Sequence, residues 1–367
     1  MPKALQYILI ASIILIIVLL GIIGIVHVSG EKRMAKTGSR GFWDVVKNFE
    51  NDFSNYMDDN YWDHFNYQEE YSQVKTLDKT DSLKDISVKL EAVNFSVKKT
   101  DAQPRVEINL VYLAENKNDL EKYKSYYNSI TEISGNTLKI DYTFRDPDGS
   151  YAIRKKIGLK GVVTLYLPKD IQPGDIDIKS VAGSVQVENI LFKDELTINQ
   201  VSGSIMFYGI GGKSVDITSV SGSLNIDSSV LDRIGLHQVS GNSNFNDFEC
   251  REMVLESVSG EFILHNLKEV SYLKIKSVSG EADISFSSLK DDFSLVFNSV
   301  SSDVRIQIPR ELKGRTNLDL ESNSGDIRPN TEGNVSKRKF TVNAKDSRGK
   351  VSVDLVSGDI EILWGNF

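Results

Sequence analysis

Between residues 176 and 363 the chain repeats one short pattern of apolar and polar positions. Apolar residues alternate with polar ones, as in Val215-Asp-Ile217, and each alternating stretch leads to a Val-Ser-Gly triplet or a close variant of it. Alternation with period two is typical of a strand that buries one face. The glycines follow one another at steps of 20, 19, 19, 19 and 20 residues from Gly183 to Gly280. A fixed period near 20 predicts an all-β solenoid with coils of that length.

The pattern also predicts how each coil turns. Val215 and Ile217 share one parity, and Val220 and Leu224 share the other. A flat strand cannot change its buried face midway, so we expect a corner at 218–219, with Val220 opening the next face. The glycine of each triplet falls on the inward parity, where a missing side chain leaves room for the backbone to bend. These structural repeat positions are Gly183, Gly203, Gly222, Gly241, Gly260, Gly280, Gly325 and Gly358.

The two ends of the solenoid are expected to differ from its middle. Residues 84–175 show alternating stretches without the triplet and predict an irregular β region that covers the first open edge, with a short helix within 115–130. Residues 176–367 hold the repeats and a C-terminal cap, in which Trp364 and Phe367 are expected to form an apolar lid. The long step from Gly325 to Gly358 leaves room for a basic loop, either solvated or a binding patch; its cations are Lys337, Arg338, Lys339, Lys345, Arg348 and Lys350.

Residues 1–30 predict a single transmembrane anchor. The stretch from Ala4 to Val28 contains no charged residue, and at about 1.5 Å per residue it reaches roughly 38 Å, enough to cross a hydrocarbon core of about 30 Å. The alternative is a signal peptide cleaved near 29–30. More Lys and Arg follow the span than precede it, which favours a cytoplasmic solenoid. Because this rule bends for large domains, both orientations stay open.

Residues 31–83 predict an acidic, aromatic juxtamembrane neck that is partly helical. Residues 42–72 contain eight Asp or Glu and one Lys, a net charge of 1 − 8 = −7. Apolar residues recur there at steps of three and four, as in an amphipathic helix. The neck is expected to pack on the solenoid or on itself, or to dock a partner with a basic face. The candidate partner-binding residues are Phe42, Trp43, Phe49, Phe53, Asp58, Asp59, Trp62 and Asp63.

The remaining composition argues against several kinds of chemistry. The repeats are close to neutral as a whole, which argues against nucleic-acid binding because neutralising phosphates requires a clustered basic face. The single cysteine, Cys250, excludes an intrachain disulfide. The four histidines, His27, His64, His237 and His265, match no metal-ligand spacing, and no nucleophile or phosphate-loop motif is present. We therefore predict no catalytic residue, no metal site and no cofactor.

The triplet ladder, the alternating strands before it and the lead-in Leu165-Tyr-Leu-Pro168 resemble a bacterial family known as "putative adhesin". This family also resembles the solenoid part of some cell-envelope stress proteins. The resemblance covers roughly residues 84–363. It implies a right-handed β-solenoid in a membrane-anchored envelope protein, and it supplies no catalytic motif.

Three functions remain open from the sequence. The first is a non-enzymatic envelope protein at the bacterial cytoplasmic membrane, with an exported solenoid that binds or scaffolds a protein or glycan partner. The second is a polymerising, membrane-associated scaffold similar to bactofilins, with a cytoplasmic solenoid. The third is a polysaccharide-cleaving enzyme, since some solenoids cleave glycans with paired carboxylates. The first is preferred, because the ladder residues explain the fold and leave no evident reaction centre.

Overall fold

The computed structural model describes residues 65–78, 80, 83–145, 156–336 and 338–365. The predicted anchor and most of the predicted neck lie outside these residues. Within the described ranges, no helix is long and apolar enough to cross a membrane. The described chain is all-β apart from short helical turns.

The N-terminal part begins with a strand in the segment predicted as a neck. Tyr67–Thr76 pairs antiparallel with a later strand, so the β region begins before residue 84. An α-helix (α1, Lys117–Tyr123) and a 3-10 turn (Lys124–Tyr126) match the short helix predicted within 115–130. The strands are β1 (Tyr67–Thr76), β2 (Asp85–Leu90), β3 (Val93–Thr100), β4 (Arg105–Ala114), β5 (Ile130–Ser134), β6 (Thr137–Tyr142) and β7 (Ile157–Pro168).

The middle of the chain forms regular coils, each built from a longer strand and a shorter one. In the first five coils the two strands lie on either side of the glycine of a triplet. In the next two coils each coil is one continuous strand. The strands are β8 (Ile176–Ala182), β9 (Val185–Glu188), β10 (Glu195–Ser202), β11 (Ile205–Tyr208), β12 (Gly211–Ser221), β13 (Leu224–Asp227), β14 (Val230–Ser240), β15 (Ser243–Asn246), β16 (Glu249–Ser259), β17 (Phe262–Leu267), β18 (Val270–Phe286) and β19 (Leu289–Pro309).

The C-terminal part contains two further coils and a hairpin. A 3-10 turn at Arg310–Leu312 leads into it. The hairpin strand Lys339–Val342 pairs antiparallel with Thr316–Ser322 and occupies much of the long step predicted as a basic loop. The strands are β20 (Thr316–Ser322), β21 (Ile327–Arg328), β22 (Asn334–Ser336), β23 (Lys339–Val342), β24 (Gly349–Ser357) and β25 (Ile360–Gly365).

Equivalent residues of successive coils stack in register. Parallel pairing places Ile198, Ile217, Leu236, Leu255 and Ile275 opposite one another along one ladder, and none of these side chains is exposed. Neighbouring strands in such a ladder lie about 4.8 Å apart, so each aliphatic side chain contacts its counterparts above and below. The predicted solenoid-like repeat fold is therefore confirmed, and its core is a set of apolar columns.

The glycine ladder has the structural role that the sequence predicted. All eight glycines have φ between +116° and +157°, a region that favours residues without a side chain. An added Cβ on Gly260 would lie 2.8 Å from the carbonyl carbon of Gly241 and closer still to its oxygen. Gly222 and Gly280 face the glycine of a neighbouring coil in the same way. Each glycine thus permits both the turn and the close approach of the neighbouring backbone.

The predicted position of the corner is wrong. β12 continues through 218–219, and the chain turns at Gly222 instead. Ser219 is 3% exposed and continues the inward parity of Val215 and Ile217, whereas Val220 is only half-buried. The Ser219 hydroxyl donates to the backbone oxygen of Ser221 at 3.5 Å. A polar residue that bonds to the backbone can occupy an inward position. A hydropathy pattern counts such a residue as outward and therefore predicts that the strand ends too early.

The coils do not stack in chain order at either end. β2 lies between β6 and β8, so the first coil is the second in its ladder. At the other end, β24 lies between β19 and β20. Consequently Gly358 faces the carbonyl group of Ser302, and Gly325 faces that of Gly358. A constant period cannot show this exchange, because it counts coils without saying which ones are neighbours.

A second corner ladder follows the short strands. Its residues have φ between +48° and +61° and recur at steps of 20, 19, 19 and 19 residues. Gly, Asn, Asp and, less readily, Ser accept this left-handed conformation. The ladder consists of Asn189, Gly209, Ser228, Asp247 and Asn266.

Candidate functional site

The eight predicted partner-binding residues of the neck, Phe42 to Asp63, lie outside the described residues, and their role stays a prediction. The predicted lid is described in part: Trp364 packs partly buried against the core, and Phe367 lies outside the described residues. Among the described residues, a candidate binding site is therefore sought on the surface of the solenoid.

The corner beside the glycine ladder is occupied by structural hydrogen bonds. Behind five of the triplets a buried Ser or Gln bonds to the backbone that turns there, namely Gln200, Ser219, Gln238, Ser257 and Ser277. Gln238 Nε2 donates to the backbone oxygens of Gly222 at 2.6 Å and Ser240 at 2.9 Å. Ser243 Oγ donates to Gln238 Oε1 at 2.9 Å. These polar groups are satisfied inside the fold, so they are poor candidates for ligand recognition.

An open groove of about 720 Å³ crosses several coils on the face after the second corner ladder. Leu191 and Val230 lie at its floor with 46% and 53% of their surfaces exposed. Gly211 pairs with both and supplies no side chain between them. Phe192, whose ring lies over Gly212, supports the floor from inside. The groove therefore exposes an apolar step on an otherwise polar surface.

Charged side chains of both signs line this groove. Lys193 and Lys213 occupy equivalent positions in adjacent coils, and neither forms an ion pair within the described ranges. Lys290 pairs with Glu269 at the far end. The full set of charged lining residues is Lys193, Lys213, Asp232, Glu249, Arg251, Glu269 and Lys290. An apolar floor with mixed charges suits a polar partner that carries a small apolar group.

A second polar cluster lies on the outward face of the longer strands. His237 Nδ1 lies 3.2 Å from Glu256 Oε2, and Lys276 Nζ lies 3.2 Å from Glu256 Oε1. The hydrogen bond from His237, opposed by burial, lowers the pKa of Glu256 to about 2. Burial opposes the charged form of His237, but the bond to Glu256 and the charges of Glu256 and Asp216 outweigh it and raise the His237 pKa. The members of this cluster satisfy one another.

Across the described ranges, no group of three or more His, Cys, Asp or Glu is placed to hold a metal ion. His265 lies 3.7 Å from Asp283 on a different face from His237. Cys250 is fully buried, and burial raises its pKa to about 12, which disfavours the reactive thiolate.

The predicted basic loop is largely held by ion pairs. Lys339 pairs with Asp319 at 2.7 Å, and Arg348 pairs with Asp291 at 2.6 Å. Lys350 lies 4.0 Å from Asp319. These contacts fix the hairpin against the last coils, and they agree better with a structural role than with a free binding patch.

A model of the Toastrack DUF4097 family matches residues 83–313 and 283–363. No curated protein sequence matches the chain. The crystal structures similar to it include three of low sequence identity. A "putative lipid binding protein" from Parabacteroides distasonis ATCC 8503 has 12% identity and a TM-score of 0.44, covering 81% of this chain and 97% of that chain.

The other two similar structures carry names related to adhesion. A "putative cell adhesion protein" from Clostridium sporogenes ATCC 15579 has 10% identity and a TM-score of 0.20, covering 81% of this chain and 100% of that chain. A "putative adhesin" from Bacteroides fragilis NCTC 9343 has 12% identity and a TM-score of 0.37, covering 80% and 97%. None of the three is described as an enzyme.

Proposed function

The chain belongs to the Toastrack DUF4097 family, and from this premise we propose that it is a membrane-anchored, non-enzymatic cell-envelope protein. Its solenoid presents a fixed surface that binds a protein or glycan partner. The anchor is the apolar stretch of residues 1–30, and the solenoid is exported. The adhesion-related names of similar bacterial proteins agree with this function, but the proposal is argued from the surface itself.

The groove is the observation that carries the proposal. Leu191 and Val230 expose apolar surface on a face whose backbone is fixed by in-register pairing. A surface held in one arrangement loses little conformational entropy when a partner binds. Lys193 and Lys213, which form no ion pair with the described residues, can then select partners by charge, while the apolar step supplies an anchor point.

A non-enzymatic role is supported by the state of the ionisable groups. Glu256, His237 and Lys276 bind one another, and the depressed pKa of Glu256 keeps it from acting as a proton donor near neutral pH. A polymerising scaffold and a glycan-cleaving enzyme have no comparable support from the described surface.

The test compares two matched pairs of substitutions. Leu191→Asp with Val230→Asp places charge on the groove, and Val300→Asp with Val356→Asp places the same charge at the glycine corner, where the valines are 50% and 52% exposed. Full-length protein in nanodiscs is titrated with purified envelope glycans and envelope proteins, and bound ligand is quantified. We expect the groove pair to lose at least tenfold in affinity and the corner pair to retain it. Equal affinity in both pairs would contradict the proposed site.

A further inference from the structure

Within the described ranges, β1 is a long strand that is paired along one edge only. Across the described ranges it pairs only with β4, over all ten residues from Tyr67 to Thr76. The other edge strands of the described sheet are shorter: β5 has five residues, β22 has three and β21 has two. Native proteins protect sheet edges by keeping them short, among other means. By that measure β1 is the edge that is least protected.

The sequence of β1 also lacks the usual obstacles to pairing at its centre. It contains no proline, and Ser72, Gln73 and Val74 separate its charged residues. Val74 is 64% exposed, the largest exposed fraction among the large apolar residues of the described chain. An open row of backbone groups beside an exposed valine is a template for another strand.

We propose that β1 pairs antiparallel with β1 of a second copy of this chain. A two-fold axis perpendicular to the sheet relates the two strands, because antiparallel identical strands can be related only in that way within one sheet. Opposed residues must then point to the same face, so their numbers differ by an even number. The possible centres are therefore single residues, each facing itself.

Charge selects the register centred on Ser72. That register opposes Glu69 with Lys75 of the second copy, and the symmetry repeats the pair, which gives two cross-strand ion pairs. A centre on Tyr71 opposes Lys75 with Tyr67, and a centre on Gln73 opposes Lys75 with Tyr71. Neither places opposite charges together. Opposite charges across a ladder stabilise it, whereas like charges weaken it.

The local contacts leave room for this pair. Lys75 has no ion pair in the described part of the chain, and Glu69 is bound through Oε1 by Lys124. Its second oxygen, Oε2, can accept a hydrogen bond from Lys75 of the second copy. Ser72 donates to Asn109 Oδ1 at 2.8 Å on the neighbouring strand, which holds the centre of β1 in place.

The pairing closes on itself. Each copy uses the same edge, so the product is a dimer with two-fold symmetry and not an open filament. A closed dimer differs from the polymerising scaffold that the sequence left open. The dimer does not depend on whether the groove binds a partner.

Cross-linking tests the geometry directly. Full-length protein carrying Ser72→Cys is treated in membranes with a short bis-maleimide, with Val300→Cys as the control because that residue is 50% exposed at a distant corner. Cys250 is fully buried and does not compete. We expect a cross-linked dimer with Ser72→Cys only. No dimer with Ser72→Cys, or equal yield at both positions, would overturn the proposal.

The register centred on Ser72 is tested by the same cross-linking reaction and by the molar mass of the protein in detergent. Lys75→Glu places two like-charge pairs across the strands and should weaken the dimer at least tenfold. Lys75→Arg should preserve it, and Lys89→Glu makes the same charge change at another exposed lysine as a control. A dimer that Lys75→Glu leaves unchanged would place the interface elsewhere and refute this register. A chain that is monomeric at all concentrations would refute the pairing itself.

Discussion

Gly260→Ala tests the physical basis of the stacked coils. Gly260 has φ +138°, which an alanine adopts only with strain. A Cβ there would lie 2.8 Å from the carbonyl carbon of Gly241 and closer to its oxygen, so the two coils must separate. We expect about 1–2 kcal/mol for the backbone conformation and about 1–3 kcal/mol for the forced displacement.

The control is Gly135→Ala in the turn between β5 and β6. Gly135 also has positive φ, +62°, but an added Cβ would meet nothing within 4 Å. It should therefore cost only the conformational part, about 1 kcal/mol. Both variants are unfolded in urea in parallel with the original chain, and the free energies are compared at equal slopes.

The total for Gly260→Ala, about 2–5 kcal/mol, is a large share of the roughly 5–15 kcal/mol typical of folded proteins. The difference between the two variants contains the contact between neighbouring coils together with the greater backbone strain at φ +138° than at φ +62°. If Gly260→Ala cost no more than Gly135→Ala, the close approach of the glycines would not be what sets the coil spacing.

Three further outcomes follow from buried and paired groups. Ser243→Ala leaves Gln238 Oε1 without its donor and should lower the free energy of unfolding by about 1–3 kcal/mol; an unchanged urea midpoint would contradict this. The His237–Glu256 pair should stabilise the fold most between about pH 4.5 and 6.5: the lowered Glu256 pKa loses its contribution as pH falls from 4.5 toward about 2, and the raised His237 pKa loses its own as pH rises above 6.5. Urea midpoints across pH, compared with Glu256→Gln, check this; the variant should flatten the profile. Cys250 should react with iodoacetamide only on unfolding, since burial raises its pKa to about 12; fast modification of the folded chain would be inconsistent with its position.

The repeat period predicted most of the middle of the fold. Glycine spacing revealed the coils because only glycine fits at Gly222, where the next backbone passes close by. The hydropathy pattern predicted the corner at the wrong residues, because the polar Ser219 is buried and its hydroxyl is bonded to the backbone. The second corner ladder, which includes Asn189 and Asp247, repeats with the same period, but four residue types occupy its positions. Its pattern appears only when residues are grouped by backbone conformation.

The stacking order and the groove could not be predicted in the same way. The place of β24 between β19 and β20 depends on which coil edges meet, and the sequence period carries no information about that. Leu191 and Val230 come from different coils, and in the sequence each adjoins apolar residues that are buried, so nothing marks it as exposed. Only the register of the coils shows that they share one floor with Gly211 between them.

The proposed export of a membrane-anchored solenoid is tested by labelling intact cells. Val300→Cys places a thiol at a position that is 50% exposed, and native Cys250 is buried. A membrane-impermeant maleimide is applied before and after lysis. We expect full labelling of Val300→Cys in intact cells, with the protein recovered in the membrane fraction. Labelling that occurs only after lysis would place the solenoid in the cytoplasm and contradict its export.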